Sequence, residues 1–423
     1  MSSAASNGTD RTAYVIIGGG LTAAKAVEGI REHDEKGSVV VVTEEEQVPY
    51  ERPPLSKGVL KGDDDVDTVY THPQSWYADH DVELRLGDPA TSLDAEAHVV
   101  TLRSGESLSY DKLLLATGSS ARALDAPGAD LDGVLYLREL QESTALKEAL
   151  VDGARVVIVG AGWIGLEVAA AAADAKCAVT VVEPQAAPLL GVMGEHVGGW
   201  FADLHRSHGV AFRFGEGVAR IEGTGRVEAV VTTAGERLPA DVVVVGVGIT
   251  PNTGLAEGAG LDVDNGVVTD ARLCTSTDGV WAAGDVASWE STALGTHVRV
   301  EHWANANDGG LAAGRSMAGA DVTYDPIPFF FSDQYDVGLE YAGHVARGSG
   351  AEVVLRGEPS SNEFMAFWVV PKGAGVRVLA GMHVNVWDTI DTVQQLVRDR
   401  TVVDRQRLAD TGVPLDEVAR AAS

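Results

Sequence analysis

The sequence predicts an α/β protein built on two doubly wound parallel sheets, followed by a C-terminal α+β segment. Three observations carry this expectation. A short apolar run ending in glycines, an alanine-rich helical stretch and a second apolar run occur twice, over residues 13–43 and 155–183. Three further apolar runs stop at glycine turns, where open parallel sheets place their ligands. Beyond residue 326 the pattern becomes aromatic and alternating, as in antiparallel strands.

Taken in order, residues 13–17 (AYVII) form the first buried strand, the glycines after them its turn, and the residues to about 33 a helix. Residues 38–43 (SVVVVT) return as the second strand. The same grammar recurs in residues 155–159 (RVVIV), a second glycine turn, another alanine-rich helix and residues 178–183 (AVTVVE). Strand, crossover helix and strand make a parallel pair each time. Residues 112–116 (KLLLA) run into Thr117-Gly118, residues 241–245 (DVVVV) into a turn ending at Gly248, and residues 279–283 (GVWAA) into Gly284-Asp285. The expected organisation is a first domain of residues 1–119 with 252–326, a second of 120–251 and a third of 327–423.

Composition narrows the function. A chain of 423 residues with 45% hydrophobic content buries several cores. Its formal charge of −30 repels phosphate backbones and anionic membranes, so neither nucleic acid nor membrane is an expected partner. Lysine is scarce beside arginine, a bias that salt adaptation or genome base composition would each produce. Two cysteines, Cys177 and Cys274, are too few for a disulfide framework and fit a reducing cytoplasm. The first eleven residues lack the apolar region of a signal peptide. The longest apolar region, residues 156–175, is interrupted by Gly160, Gly162, Gly165 and Glu167, which fits a strand, turn and helix better than a membrane span. His196, His205 and His208 have helical spacing but no matching cysteine or carboxylate set, so no metal site is expected.

The glycine turns carry the chemistry. The first, Gly18-Gly19-Gly20-Leu21-Thr22-Ala23, has the G-x-G-x-x-A form. Gly18 makes the tight turn, Gly20 admits a pyrophosphate close to the backbone, and Ala23 lets the helix pack closely. The helix N-terminus then offers N–H donors to the phosphates. Glu44 ends the second strand, where a carboxylate accepts from ribose hydroxyls. The second turn, Gly160-Ala161-Gly162-Trp163-Ile164-Gly165, is complete in all three glycines, and Glu183 holds the ribose position. No arginine or lysine in residues 184–190 awaits a 2′-phosphate, so NADH is expected over NADPH. Two such Rossmann-like sites, a separate Thr117-Gly118 turn and a late Gly284-Asp285 imply two different dinucleotides, one of them FAD.

The segments YERPPLSK (50–57), LLATG (114–118), GWIGLE (162–167), GITPN (248–252), WAAGD (281–285), VEHW (300–303) and FSDQYD (331–336) together resemble the FAD-dependent pyridine-nucleotide oxidoreductases. The resemblance is to the ferredoxin and rubredoxin reductases that feed oxygenases and cytochromes P450. It covers residues 12–410 and implies a glutathione-reductase-like architecture. Where disulfide reductases carry a cysteine pair, this chain has Arg52, Pro53, Pro54 and Lys57, so the flavin has no thiol relay. By resemblance, Arg52 and Arg122 contact FAD, Lys57 lies beside the flavin N5 region and Glu167 pairs with Lys57. A cation there stabilises the anionic reduced flavin, and a carboxylate offsets the cost of burying it. Asp285 is implied at the ribityl chain, Ala90 at adenine, and Trp303 and Phe331 beside the isoalloxazine. Many relatives have tryptophan where this chain has Phe331. Glu301 and His302 border the implied nicotinamide pocket. Trp163 is large enough to stack on nicotinamide or block it, or simply packs against its surroundings.

The implied reaction passes electrons from NADH through FAD to an iron–sulfur ferredoxin or a rubredoxin, in a monomer or homodimer. Two rivals remain: reduction of a small acceptor such as a quinone or ascorbate radical, and a redox-sensing flavoprotein resembling apoptosis-inducing factor. Arg398, Arg400, Arg405 and Arg407 are the local positive excess that an acidic partner would meet, or else a solvated helix face.

Overall fold

The structure, a computed structural model, describes residues 11–346 and 348–419. It resolves into two compact units, each assembled from three stretches of chain. Of the described residues, the first takes those up to Glu51, Val69–Ser120 and Pro251–Pro326; the second takes Arg52–Thr68, Ala121–Thr250 and those from Ile327 onward.

In the first unit the parallel strands lie in the order Val82–Arg85, Val39–Val42, Thr12–Ile17, Ser107–Leu115 and Val280–Ala282. The N-terminal half of Ser107–Leu115 also pairs antiparallel with Val99–Leu102, which pairs in turn with Ala90–Asp94. The run of four valines shows why such strands read as unbroken apolar stretches. Val39 and Val41 enter one core with Tyr14, Ile16 and Leu114, while Val40 and Val42 enter the other with Val15, Ile17, Leu113 and Leu115. A strand covered on both faces needs apolar residues at every position.

Helix Leu21–Arg31 lies against helix Trp303–Met317 almost backbone to backbone. A Cβ at Gly314 would stand 2.1 Å from the Ala26 carbonyl oxygen, and one at Gly310 would stand 2.4 Å from that of Thr22. Neither obstacle is a flexible side chain, so a larger residue must push the helices apart. Gly314→Val is expected to destabilise this unit by about 3 kcal/mol, read as a lowered thermal midpoint.

The second unit contains a parallel sheet in the order Ala211–Phe214, Ala178–Glu183, Arg155–Val159, Val242–Val245 and Val134–Leu135. Helix Trp163–Asp174 covers it, burying Leu166 to Ala172 without a break. The later segment is an antiparallel sheet in the order Phe329–Gln334, Val337–Gly343, Gly375–Val384, Glu363–Lys372 and Glu352–Glu358. Helix Ile390–Arg398 packs on it, and two short helices, Arg405–Ala409 and Leu415–Glu417, follow. One strand begins well before its expected start: the apolar run from residue 112 is the tail of Ser107–Leu115, whose first half is too polar to register as apolar. No helix among the described residues is long and apolar enough to cross a membrane.

Candidate dinucleotide turns and a buried lysine–glutamate pair

In the first unit, Gly18 takes φ +132° and brings its Cα against the end of the neighbouring strand. A Cβ there would lie 2.0 Å from the Ala116 carbonyl oxygen. Gly20 caps helix Leu21–Arg31, and a Cβ on it would meet nothing within 4 Å. Open space above unsatisfied helix N–H groups is what a pyrophosphate requires. Ala23 is fully buried, as close packing of the helix demands.

Around this turn, Asn252 clamps Thr117-Gly118. It accepts from the Thr117 hydroxyl through its carbonyl (2.8 Å), donates its side-chain amide to the Thr117 carbonyl (2.9 Å), and donates its backbone N–H to Gly118 (2.9 Å). Gly284, at φ +77°, abuts the Thr22 hydroxyl, and the Asp285 side chain beside it is buried. Ala90 opens the strand Ala90–Asp94. Trp303 donates its indole N–H to Glu51 (3.0 Å), Glu301 pairs with Arg299 (2.5 Å), and His302 is the residue preceding helix Trp303–Met317. Glu44 is 78% exposed and has Arg103 at 4.0 Å.

The second unit repeats the turn with tighter closure. Gly160 (φ +100°) lies against the Gly246 carbonyl, Gly165 lies against the Gly160 carbonyl, and Gly162 is open above the helix N-terminus. Glu183 is buried at the end of its strand and accepts backbone N–H groups of Ala161 (2.7 Å) and Gln185 (2.9 Å). It therefore ties the turn to the strand, and the unused lone pairs of its oxygens are what remains for a ribose. Trp163 sits edge-on to Phe201 (5.5 Å) and Phe330 (4.8 Å), while Ile164 beside it is exposed. The aromatic packing comes from helix Leu190–Ser207 and strand Phe329–Gln334. Both turns have the shape and donor set that a dinucleotide fits.

The segment from Arg52 supplies the unit's distinctive feature. Arg52 donates to the Arg138 carbonyl, and two prolines open a 3₁₀ turn that ends at Lys57. The Lys57 ammonium, 19% exposed, lies 2.8 Å from Glu167, which is only 5% exposed. It also lies 5.9 Å from the centre of the Phe331 ring. Ser56 donates to the other Glu167 oxygen, and Ser332 donates to the oxygen that Lys57 holds (2.6 Å). A buried carboxylate with one cation and two hydroxyl donors is well satisfied. Elsewhere in the unit Arg122 donates to Ile249 (3.0 Å) and Thr250 (3.2 Å), and its backbone N–H donates to Gly248, which has φ +103°. Of the C-terminal arginines, Arg405 pairs with Glu352 and Arg407 donates to the Glu417 carbonyl.

Sequence reasoning missed Ser56, Ser332, Asn252, Gln334 and His205. A signal existed for two of them: along Phe329–Gln334 the inward residues are Phe330, Ser332 and Gln334, so two polar residues occupy core positions of an aromatic strand. Both are buried and bonded. Gln334 donates to Ser332 (3.2 Å), and His205 donates its Nε2–H to the Gln334 carbonyl (2.8 Å). Tyr335 donates to His205 Nδ1 (3.0 Å). Among the described residues, no group of three or more His, Cys, Asp or Glu is placed to hold a metal ion.

Burial pushes His205 down to about 4, the Gln334 bond opposing only part of the shift. An unfolded histidine titrates near 6.5, so between there and pH 4 the unfolded chain binds a proton that the folded chain refuses. Stability from this site is complete above the upper value and falls as pH drops through the window, by on the order of 3 kcal/mol at its bottom. His205→Gln is expected to flatten that part of the stability–pH curve relative to wild type, as chemical denaturation at stepped pH would read.

Comparison with known proteins agrees with this geometry. Residues 12–310 match the pyridine nucleotide-disulphide oxidoreductase family, and residues 329–419 match the reductase C-terminal family. The chain is 38% identical to the ferredoxin–NAD(+) reductase component of an anthranilate 1,2-dioxygenase system from Burkholderia cepacia, over 95% of this chain and 98% of that one. It is 36% identical to rhodocoxin reductase of Rhodococcus erythropolis, over 95% and 93%. Among solved structures, putidaredoxin reductase in its covalent complex with putidaredoxin superposes with a TM-score of 0.91 at 33% identity, over 97% of this chain and 99% of that one. Two dinucleotide turns in parallel sheets, followed by the antiparallel segment, make this chain a member of the pyridine nucleotide-disulphide oxidoreductase family, with the reductase C-terminal domain attached.

Proposed function

We propose that the protein is a cytoplasmic NADH-dependent ferredoxin reductase that uses FAD and no redox disulfide. The observation that carries the reading is the cysteine-free segment 52–57, whose Lys57 is held by the buried Glu167. Both cysteines are free, and neither belongs to this segment. Relatives of similar length serve dioxygenase and rubredoxin systems, which supports an iron–sulfur or rubredoxin acceptor. In this proposal residues 1–119 with 252–326 bind FAD, 120–251 bind NADH and 327–423 complete the enzyme.

A bound flavin would supply the hydride acceptor for reduced nicotinamide and a source of single electrons for the iron–sulfur or rubredoxin acceptor. The chain's own residues align and charge that chemistry. The Gly18 and Gly160 turns would offer backbone N–H groups to the two pyrophosphates, and Asp285 would hold the ribityl chain. Glu183 disfavours a 2′-phosphate by charge. Lys57 presents a fixed cation to the reduced ring system, while Glu167 and its hydroxyl donors fix where that cation stands.

The test is an anaerobic titration of purified protein with NADH and then NADPH, followed by addition of an iron–sulfur ferredoxin. Bleaching of the oxidised flavin by NADH, and its return on adding oxidised ferredoxin, is the expected result. Flavin that NADH leaves unchanged would overturn the reading. Replacing both cysteines, as Cys177→Ser with Cys274→Ser, is expected to leave the rate of ferredoxin reduction within about twofold, since neither thiol is a relay. A complete loss would show that a thiol carries electrons after all.

A further inference from the structure

We propose that His205 is a positioning residue for the Lys57–Glu167 pair, acting through the orientation of the Gln334 amide and the single proton of Ser332. The inference rests on the reading of Lys57 as the cation that faces the flavin.

The path is a one-way line of donors. Tyr335 donates to His205, His205 to Gln334, Gln334 to Ser332 and Ser332 to Glu167. His205 has no exposed surface, and Gln334 and Ser332 are each 1% exposed, so water does not substitute for a missing partner. The decisive point is Ser332. A hydroxyl has one proton to give, and two acceptors are within its reach: a Glu167 oxygen and the Gln334 side chain. Because Gln334 turns its NH₂ toward Ser332, that proton goes to Glu167.

Reversed by half a turn, the amide would present its carbonyl to Ser332, take the proton and leave Glu167 with one donor fewer. Among the described residues, His205 is the group that opposes the reversal. Its Nε2–H needs the Gln334 carbonyl, and an NH₂ in that place would set donor against donor. With the proton on Nε2, Nδ1 is left as an acceptor and takes the Tyr335 hydroxyl proton. The imidazole remains neutral across ordinary pH because burial holds it down. A histidine on helix Leu190–Ser207 thereby determines how firmly Glu167 is held, and with it the position and field of Lys57.

Four variants and one spectrum test this. His205→Phe keeps the ring and removes the donor; His205→Gln restores an N–H near Nε2; Ser332→Ala removes the proton itself; the fourth combines H205F with S332A. The expected result is a loss of about tenfold in kcat for H205F and for S332A, with KM for NADH within twofold and the flavin midpoint potential displaced in both. H205Q recovers most of the rate and the potential, and the double variant is no worse than S332A, since both changes remove the same hydrogen bond.

Wild-type kcat and potential in H205F, or losses that multiply in the double variant, would overturn the proposal. If H205F does not fold, Gln334→Leu is expected to give the same loss, and normal behaviour there would be equally fatal. Nitrogen-15 spectra of the wild-type protein read the line without any turnover. A proton on Nε2 of His205 supports it, and one on Nδ1 alone overturns it. Should NADH fail to reduce the protein, the functional reading falls while this spectrum still decides the orientation of the chain of donors.

Discussion

A Gly18→Val protein is expected to emerge from purification without flavin. Two costs coincide at this residue. Its φ of +132° is closed to side chains, a strain of about 1–3 kcal/mol. The first side-chain carbon would also stand 2.0 Å from the Ala116 carbonyl oxygen, which belongs to the backbone and cannot swing away. Relief requires the strands Thr12–Ile17 and Ser107–Leu115 to part at the point where the dinucleotide turn begins. Gly105 supplies the control: its φ is +91°, yet a Cβ there meets nothing within 4 Å. Gly105→Ala is expected to cost about 1 kcal/mol and to retain its flavin. Full flavin content in G18V, measured by visible absorbance against protein concentration, would remove the first turn from the cofactor site.

Lys57→Met is expected to keep its flavin yet lose about a hundredfold in NADH-driven ferredoxin reduction, the usual scale for removing one preorganised charge from a reaction centre. Glu167→Leu should fail differently. It leaves a mostly buried ammonium without its partner and strands the Ser56 and Ser332 hydroxyls, costing roughly 3 kcal/mol of stability as well as rate. Combining the two changes separates the effects. With both charges replaced by apolar groups, stability is expected to return most of the way while activity remains at the Lys57→Met level. Thermal midpoints and single-turnover flavin reduction, measured on all three variants, give the comparison. A double variant that regained its rate would show that the pair serves folding alone.

The parts of this protein that sequence made legible are those governed by local rules. Four consecutive valines at 39–42 can only be a strand covered on both faces, and Gly18 and Gly160 stand where turns require positive φ. The Lys57–Glu167 pair was accessible through resemblance, since 110 positions of chain separate the two residues and no local pattern links them. Residues defined by three-dimensional convergence were out of reach. His205 follows an ordinary helical spacing, and only the fold reveals that Gln334, 129 residues away in the chain, turns it from a core histidine into part of a polar line. Glu183 was legible as a carboxylate at the end of its strand, but its bond to the Ala161 N–H depends on how the turn closes.

The interleaving of the two units bears on how the protein is made. The first unit lacks its last parallel strand until Val280–Ala282 has been synthesised. Glu167 waits longer: Ser332 lies 165 residues further along the chain, about 15 s of translation at typical speeds. Through that interval the carboxylate stays hydrated, beside a helix whose covering strand does not yet exist. A chain that stops before residue 332 therefore lacks one of the two hydroxyl donors that close the site around Glu167.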